Sequence, residues 1–260
     1  MTYKTLLYQK KDGIGIVTLN RPEALNALNS NIYTDLYDVF EDIENDDEVR
    51  VVVLTGSGEK AFAAGSDVVE MQNMNTLELQ KFVAKIRKAS DRIYTLTKPT
   101  IAAIHGYALG GGCELSLCCD LRICSEKARF GQPEINLGLI PGACGTQRLP
   151  RLVGVAKAKE MIFLGDMIDA AAALSLGLVN KVVPRAQLME EARKMAASIL
   201  SKSPSAVHLA LQAIMRGIEV PLPEGLKIES ELFARACASE DKEEGTAAFL
   251  QKRKPAFKGK

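Results

Sequence analysis

Apolar residues fall in short runs bounded by turn-forming residues through the first half of the chain, then shift to helical spacing in the second. The stretch "LLYQKKDGIGIVTLN" reads as two short strands joined by a turn at Asp12 and Gly13. Ser30 is a candidate N-cap, and beyond it Ile32, Leu36, Val39, Phe40 and Ile43 share one helical face with acids opposite. "VRVVVLTG" predicts a buried strand, "TLELQKFVAKIRKASDRIYTL" a helix, "TIAAIHG" a second buried strand, "ALGGGCELSLCCD" a short helix and "LRICSE" another strand. That alternation predicts an α/β layered architecture. After residue 145 almost every segment is helix-like, including "VAKAKEMIFLG", "AQLMEEARKMAASILSK" and "LPEGLKIESELFARACAS", and only "LVNKVV" offers a strand. A sheet-bearing part over residues 1–185 followed by a helical part over 186–260 is expected. The late helices have no strand layer of their own, so they pack on another subunit or fold back on the core.

The chain's 260 residues suit one large domain, alone or with a smaller helical part, and 47% hydrophobic against 25% charged residues is ordinary for a globular protein. Thirty-three Lys and Arg nearly balance 32 Asp and Glu, which leaves no basic field for nucleic acid or an anionic membrane. The one basic cluster is the tail "QKRKPAFKGK", readable as a solvated end or as a contact to a phosphorylated ligand or neighbouring subunit. The polar opening and the lack of any long apolar run predict a soluble cytoplasmic protein. Six cysteines without a CxxC pair, and only His105 and His208 beside them, predict reduced, mostly buried thiols and no metal site.

Three glycine-centred stretches carry the candidate chemistry. "VVVLTGSGEKA" approximates a dinucleotide fingerprint, but no helix is expected before about Thr76 to hold a pyrophosphate, so a tight turn is the better reading. "FAAGSD", residues 62–67, has small side chains that would let a ligand oxygen approach backbone N–H donors, although a plain turn explains it too. "ALGGGCEL" follows a buried strand and opens a helix. Gly110, Gly111 and Gly112 leave its first N–H groups accessible to an anion or oxyanion, or alternatively permit close helix–strand packing. Glu114 lies one turn further on, and Glu134 sits in the loop-like "FGQPEINLGLIPGACGTQR". If the two carboxylates converge, burial and repulsion raise one pKa towards neutrality, as acid–base work requires; for either alone a salt bridge is the commoner role. Two sets of N–H donors plus two carboxylates suggest proton transfer or water activation on a carbonyl compound.

The blocks "NRPEALNALN", "AFAAGSDVVEM", "HGYALGGGCELSLCCDLRI", "ARFGQPEINLGLIPGACGTQRL", "LVNKVVP" and "AAFLQKRK" resemble, in order and spacing, the crotonase (enoyl-CoA hydratase) superfamily across nearly the whole chain. The resemblance implies a spiral of strand–strand–helix repeats with a C-terminal helical trimerisation region, assembled as a homotrimer or as a dimer of trimers. It implies reversible hydration of trans-2-enoyl-CoA to 3-hydroxyacyl-CoA, since both glutamate positions are kept as Glu114 and Glu134. Glu114 would help activate a water held by both carboxylates, and Glu134 would deliver a proton to C2. By the same resemblance, the N–H groups of Ser66 and Gly111 would form the oxyanion hole and Gly142 would help orient the water. Glu23, Ala24, Leu25, Ala64, Asp67 and Val68 would line the coenzyme A path, with Phe249 and Lys252 reaching over it from a neighbouring helix or subunit. No metal or redox cofactor is implied; coenzyme A is part of the substrate. Double-bond isomerisation, or hydration of a branched or cyclic enoyl-CoA, is the alternative, and an RNA-binding or scaffolding role is a third. The chain departs from the family pattern at Ser66, usually alanine, and at Cys144, usually glycine.

Overall fold

A computed structural model describes residues 3–260 and opens on the antiparallel pair β1 (Leu6–Lys11) and β2 (Ile14–Leu19), turned at Asp12 and Gly13, both at positive φ. Helix α1 (Ser30–Glu44) follows. Its cap is Asn29 rather than Ser30: the Asn29 side chain accepts from the Ile32 N–H at 3.0 Å, leaving Ser30 as the first helical residue. Next come β3 (Val51–Gly56), β4 (Ala61–Ala63), the short α2 (Val68–Gln72) and α3 (Thr76–Tyr94). A helix therefore does begin before Thr76, capped by Asp67, but β4 separates it from the Gly56 turn, so no pyrophosphate-type strand–turn–helix arises.

The strand–strand–helix unit then recurs. β5 (Thr100–Ile104) and β6 (Tyr107–Leu109) lead to α4 (Gly111–Leu117); β7 (Leu121–Ser125) and β8 (Arg129–Gly131) lead through a 3₁₀ turn at Pro133–Leu137 to α5 (Gly145–Val153). In the units opened by β3, β5 and β7 the first strand joins a six-stranded sheet ordered β1-β2-β3-β5-β7-β10, and the second joins a four-stranded sheet ordered β4-β6-β8-β9. β3, β5 and β7 are parallel neighbours, as are β4, β6 and β8. This is the spiral that the resemblance implies. The chain continues through α6 (Val155–Leu164), the two-residue β9 (Ile168–Asp169), α7 (Ala170–Ser175), β10 (Lys181–Val183), α8 (Leu188–Leu200), α9 (Pro204–Gly217), α10 (Leu222–Cys237) and α11 (Glu240–Leu250).

Alternating residues of the large sheet feed two apolar layers. Val52, Leu54 and Ala102 face the main core with α1, α3 and α4, while Val51, Val53, Ile101 and Ile123 face Leu188, Ala192 and Ala196 of α8. Being covered on both sides, β3 reads as an unbroken apolar run. Of the late helices, α8 thus folds back on the sheet, whereas α9 to α11 leave Ile214, Ile218, Leu222, Phe233, Phe249 and Leu250 exposed. Five of the six cysteines are buried, Cys237 is exposed and all are free thiols.

The start of α4 lies directly on β4, where a Cβ on Gly112 would collide with the Ala63 carbonyl group. Gly112→Ala is therefore expected to destabilise the protein by about 3 kcal/mol. Gly138→Ala, whose methyl group would enter open space at a φ of 70°, should cost only about 1 kcal/mol. Urea unfolding of both variants checks the order.

Candidate active site

Every residue of α4 is buried, and Gly110 starts the helix at φ 48° and ψ −125°, a backbone state suited to glycine. The helix is tied down at its far end by the buried Arg122, which donates to the carbonyl groups of Cys119 (2.6 Å), Leu178 (2.8 Å) and Ser116 (3.4 Å). Glu114 is 2% exposed. Its Oε1 accepts three backbone N–H bonds, from Ala143 (2.9 Å), Cys144 (2.8 Å) and Gly145 (2.6 Å). The loop carrying Gly142 thus closes over the carboxylate, and the Cys144 and Cys118 thiols donate to the Glu114 carbonyl oxygen at 3.2 and 3.3 Å.

Glu134 lies in the 3₁₀ turn after β8, which Gly138 ends in the left-handed region. Its carboxylate rests against the turn that opens α4: a Cβ on Gly110 would stand 2.9 Å from Glu134 Oε1. The side-chain amide of the fully buried Gln132 faces Glu134, and with its nitrogen turned towards the carboxylate it donates to both Glu134 oxygens, at 3.1 and 3.2 Å. Burial, partly offset by a hydrogen bond from the residue's own backbone N–H and reinforced by the Glu114 charge, pushes the Glu134 carboxyl up to about 7. The two carboxylates are thus brought together at one end of α4 in unlike surroundings.

Ser66 follows β4 by three residues. The segments around it are stitched by Leu28 N–H to Gly65 carbonyl (2.8 Å), Ala64 N–H to Leu25 carbonyl (3.1 Å) and Asp67 N–H to Leu28 carbonyl (3.0 Å). Asn26, wholly buried at a φ of 55°, donates to the Ser57 and Ala61 carbonyls and accepts from the Arg21 N–H. Arg21 in turn pairs with Asp67 at 3.0 Å. These bonds set the Glu23, Ala24 and Leu25 turn beside Ala64, Asp67 and Val68, forming one open rim. Gly111 meets its inner end: a Cβ there would lie 3.1 Å from Ser66 Oγ and 3.3 Å from the Tyr33 hydroxyl. Neither the Ser66 nor the Gly111 N–H donates to a protein acceptor among the described residues. Ser66, Gly111 and Glu134 therefore stand just past the ends of three adjacent parallel strands, β4, β6 and β8.

Phe249, 82% exposed on α11, and Lys252 just beyond it are the predicted residues that one chain does not bring to this rim. Gln132, Arg21, Asn26 and Tyr33 were not singled out from sequence. Gln132 sits two residues before Glu134 in a block already marked, whereas Tyr33 is hidden within the apolar face of α1. Surface clefts elsewhere, one beside Lys98 and His208 and another beside Glu59 and Arg185, contain neither glutamate. Among the described residues no group of three His, Cys, Asp or Glu could hold a metal ion, and no helix is long and apolar enough to cross a membrane.

A family model described as enoyl-CoA hydratase/isomerase matches residues 9–260. The chain belongs to the enoyl-CoA hydratase/isomerase family. Relatives in that family include a short-chain enoyl-CoA hydratase from Clostridium acetobutylicum, 48% identical and covering 98% of this chain and 97% of that protein. A crotonyl-CoA hydratase from Syntrophomonas wolfei is 43% identical, covering 99% of both. The crystal structure of an enoyl-CoA hydratase from Bacillus anthracis superposes with a TM-score of 0.96 at 43% identity, over 99% of this chain and 100% of that one.

The raised Glu134 pKa has a consequence for stability in this family member. A carboxyl that binds its proton more tightly when folded stabilises the protein below about pH 4.5, and that contribution is lost as pH rises through about 7. Glu134→Gln should abolish this loss and be more stable than wild type at pH 8, by on the order of 2 kcal/mol. Chemical denaturation at pH 5 and pH 8 measures the difference.

Proposed function

We propose that this member of the enoyl-CoA hydratase/isomerase family reversibly hydrates trans-2-enoyl-CoA thioesters to 3-hydroxyacyl-CoA. The observation that carries the reading is a pair of carboxylates close enough to feel one another's charge, Glu114 gripped by three N–H donors and Glu134 against the Gly110 turn and shifted to about 7. The thioester oxygen sits between the free N–H groups of Ser66 and Gly111, which stabilise the enolate-like charge as it develops. A water held by both carboxylates attacks C3 with Glu114 drawing off its proton, and Glu134 protonates C2. Gly142, in the loop that seats Glu114, helps orient that water. Water adds across the double bond with no net oxidation, so the reaction needs no redox cofactor, and coenzyme A enters only as part of the substrate.

Coenzyme A runs along the rim of Glu23, Ala24, Leu25, Ala64, Asp67 and Val68. Residues 1–185 form the catalytic spiral and 186–260 the helical region that assembles a homotrimer or homohexamer in the cytoplasm. The exposed apolar faces of α9 to α11 support that assembly, which would deliver Phe249 and Lys252 to a neighbouring site. The relatives named for short-chain and crotonyl substrates support crotonyl-CoA as the first compound to try. Ser66 and Cys144, beside the thioester position and Glu114, are where a preference for a different enoyl-CoA would arise.

The wild-type protein is expected to remove the ultraviolet absorbance of crotonyl-CoA, and Glu114→Gln or Glu134→Gln to slow this by roughly 10³-fold or more. For hydration, kcat/KM should fall as pH rises past about 7, when Glu134 loses its proton. A wild type that binds crotonyl-CoA yet leaves its double bond intact or merely moved overturns hydration of this substrate.

A further inference from the structure

Tyr33 carries a buried polar atom that the reaction as described does not use. Its side chain is 2% exposed, its ring packs edge-on against Phe82 with centroids 5.7 Å apart, and its hydroxyl makes no well-formed hydrogen bond among the described residues, with Ser66 Oγ the one side-chain group close enough to interact. An orphaned buried hydroxyl costs about 1–3 kcal/mol, so its retention calls for a reason. The hydroxyl lies at the mouth of the candidate oxyanion hole, where it and Ser66 Oγ both face the Gly111 α-carbon, 3.3 and 3.1 Å from a Cβ placed there. Burial pushes the phenol well above its ordinary range, although the neighbouring Ser66 hydroxyl acts in the opposite sense, so it stays a protonated donor. Ser66 is only partly buried, and its Oγ stands beside the phenol at the Gly111 α-carbon.

We propose, resting on the acyl-CoA reading above, that Tyr33 and Ser66 form a hydroxyl relay that adds a side-chain donor to the two backbone N–H groups of the oxyanion hole. Ser66 Oγ donates to the thioester oxygen as it gains charge, and Tyr33 donates to Ser66 Oγ, which fixes the serine proton towards the substrate. Ser66 is then a catalytic residue through its hydroxyl as well as its N–H, and Tyr33 is a positioning residue. A chain of hydroxyls polarises along its length, so the last donor strengthens when the first is present. The relay exists because a hydroxyl stands at position 66; an alanine there would keep the N–H and leave Tyr33 without a target.

Tyr33→Phe and Ser66→Ala, singly and together, test the relay. A purely structural Tyr33 predicts that Phe, which removes an unpaired hydroxyl and keeps the ring, stabilises the fold or leaves it unchanged and does not alter turnover. The relay predicts that Ser66→Ala keeps the wild-type melting temperature and Tyr33→Phe keeps or raises it, while each holds KM within about twofold but loses roughly tenfold in kcat on crotonyl-CoA. The double variant should be no slower than Ser66→Ala, since the two hydroxyls act in series. A second readout uses 4-(dimethylamino)cinnamoyl-CoA, whose absorbance moves to longer wavelength when its carbonyl is polarised. That shift should shrink in both single variants. Wild-type turnover and an undiminished shift in either single variant overturn the relay while leaving hydration standing. A wild type that hydrates nothing but shifts the chromophore, with the shift reduced in the variants, leaves the relay standing and removes the proposed reaction. A wild type that neither hydrates crotonyl-CoA nor shifts the chromophore overturns both.

Discussion

Three backbone N–H groups meet on a single oxygen of Glu114, a carboxylate with almost no access to water, and much of the candidate site follows from that one contact. A carboxylate can be held in such a place only if its acceptors are met, because burying it unpaired would cost several kcal/mol. The loop through Gly142 meets the demand with main chain instead of a cation, so the charge is held in position without being neutralised by a salt bridge. The same demand requires that α4 not shift, and the Arg122 guanidinium on its last carbonyl groups and the Gly112 contact with β4 together prevent it.

Holding one carboxylate by main-chain donors sets the conditions for the other. Glu134 has the Gln132 amide beside it and a charged neighbour in Glu114, and burial raises its pKa to about 7. Two chemically identical side chains thereby stand in different surroundings, which is how one residue type can be given two kinds of work. On the proposed reaction this division is what lets one group take a proton while the other gives one.

The long elements were legible in the sequence because their apolar periodicity is long enough to be read: β2, β3, β5, α1 and α3 lie where it places them. β4, β6 and β8 were not, since three residues carry no measurable period and these strands exist only through their parallel neighbours. The site follows the same split. Gly110, Gly111 and Glu114 stood out as a run of missing side chains before a charge, and Glu134 as a carboxylate among Pro and Gly. The cradle of Ala143, Cys144 and Gly145 around Glu114 did not, because it is built from main-chain atoms that every residue possesses. Tyr33 escaped notice for the opposite reason, as its ring fits the apolar pattern of α1 and only the position of its oxygen sets it apart. On the proposed assembly, where Phe249 and Lys252 would act depends on surfaces of a second chain, which local pattern does not encode.

The placement of Ser66, Gly111 and Glu134 past the ends of β4, β6 and β8 makes the small sheet a ruler. Neighbouring strands are held about 4.8 Å apart by their hydrogen bonds, whatever their side chains. The spacing between the group that would grip the carbonyl and the group that would move the proton is thus graduated in strand widths. Each mark on that ruler belongs to a different repeat of the spiral. The residue after β8 can be exchanged without moving the marks after β4 and β6, so on the proposed reading the chemistry offered to a thioester could be rewritten one repeat at a time while the grip on its oxygen stayed where it is.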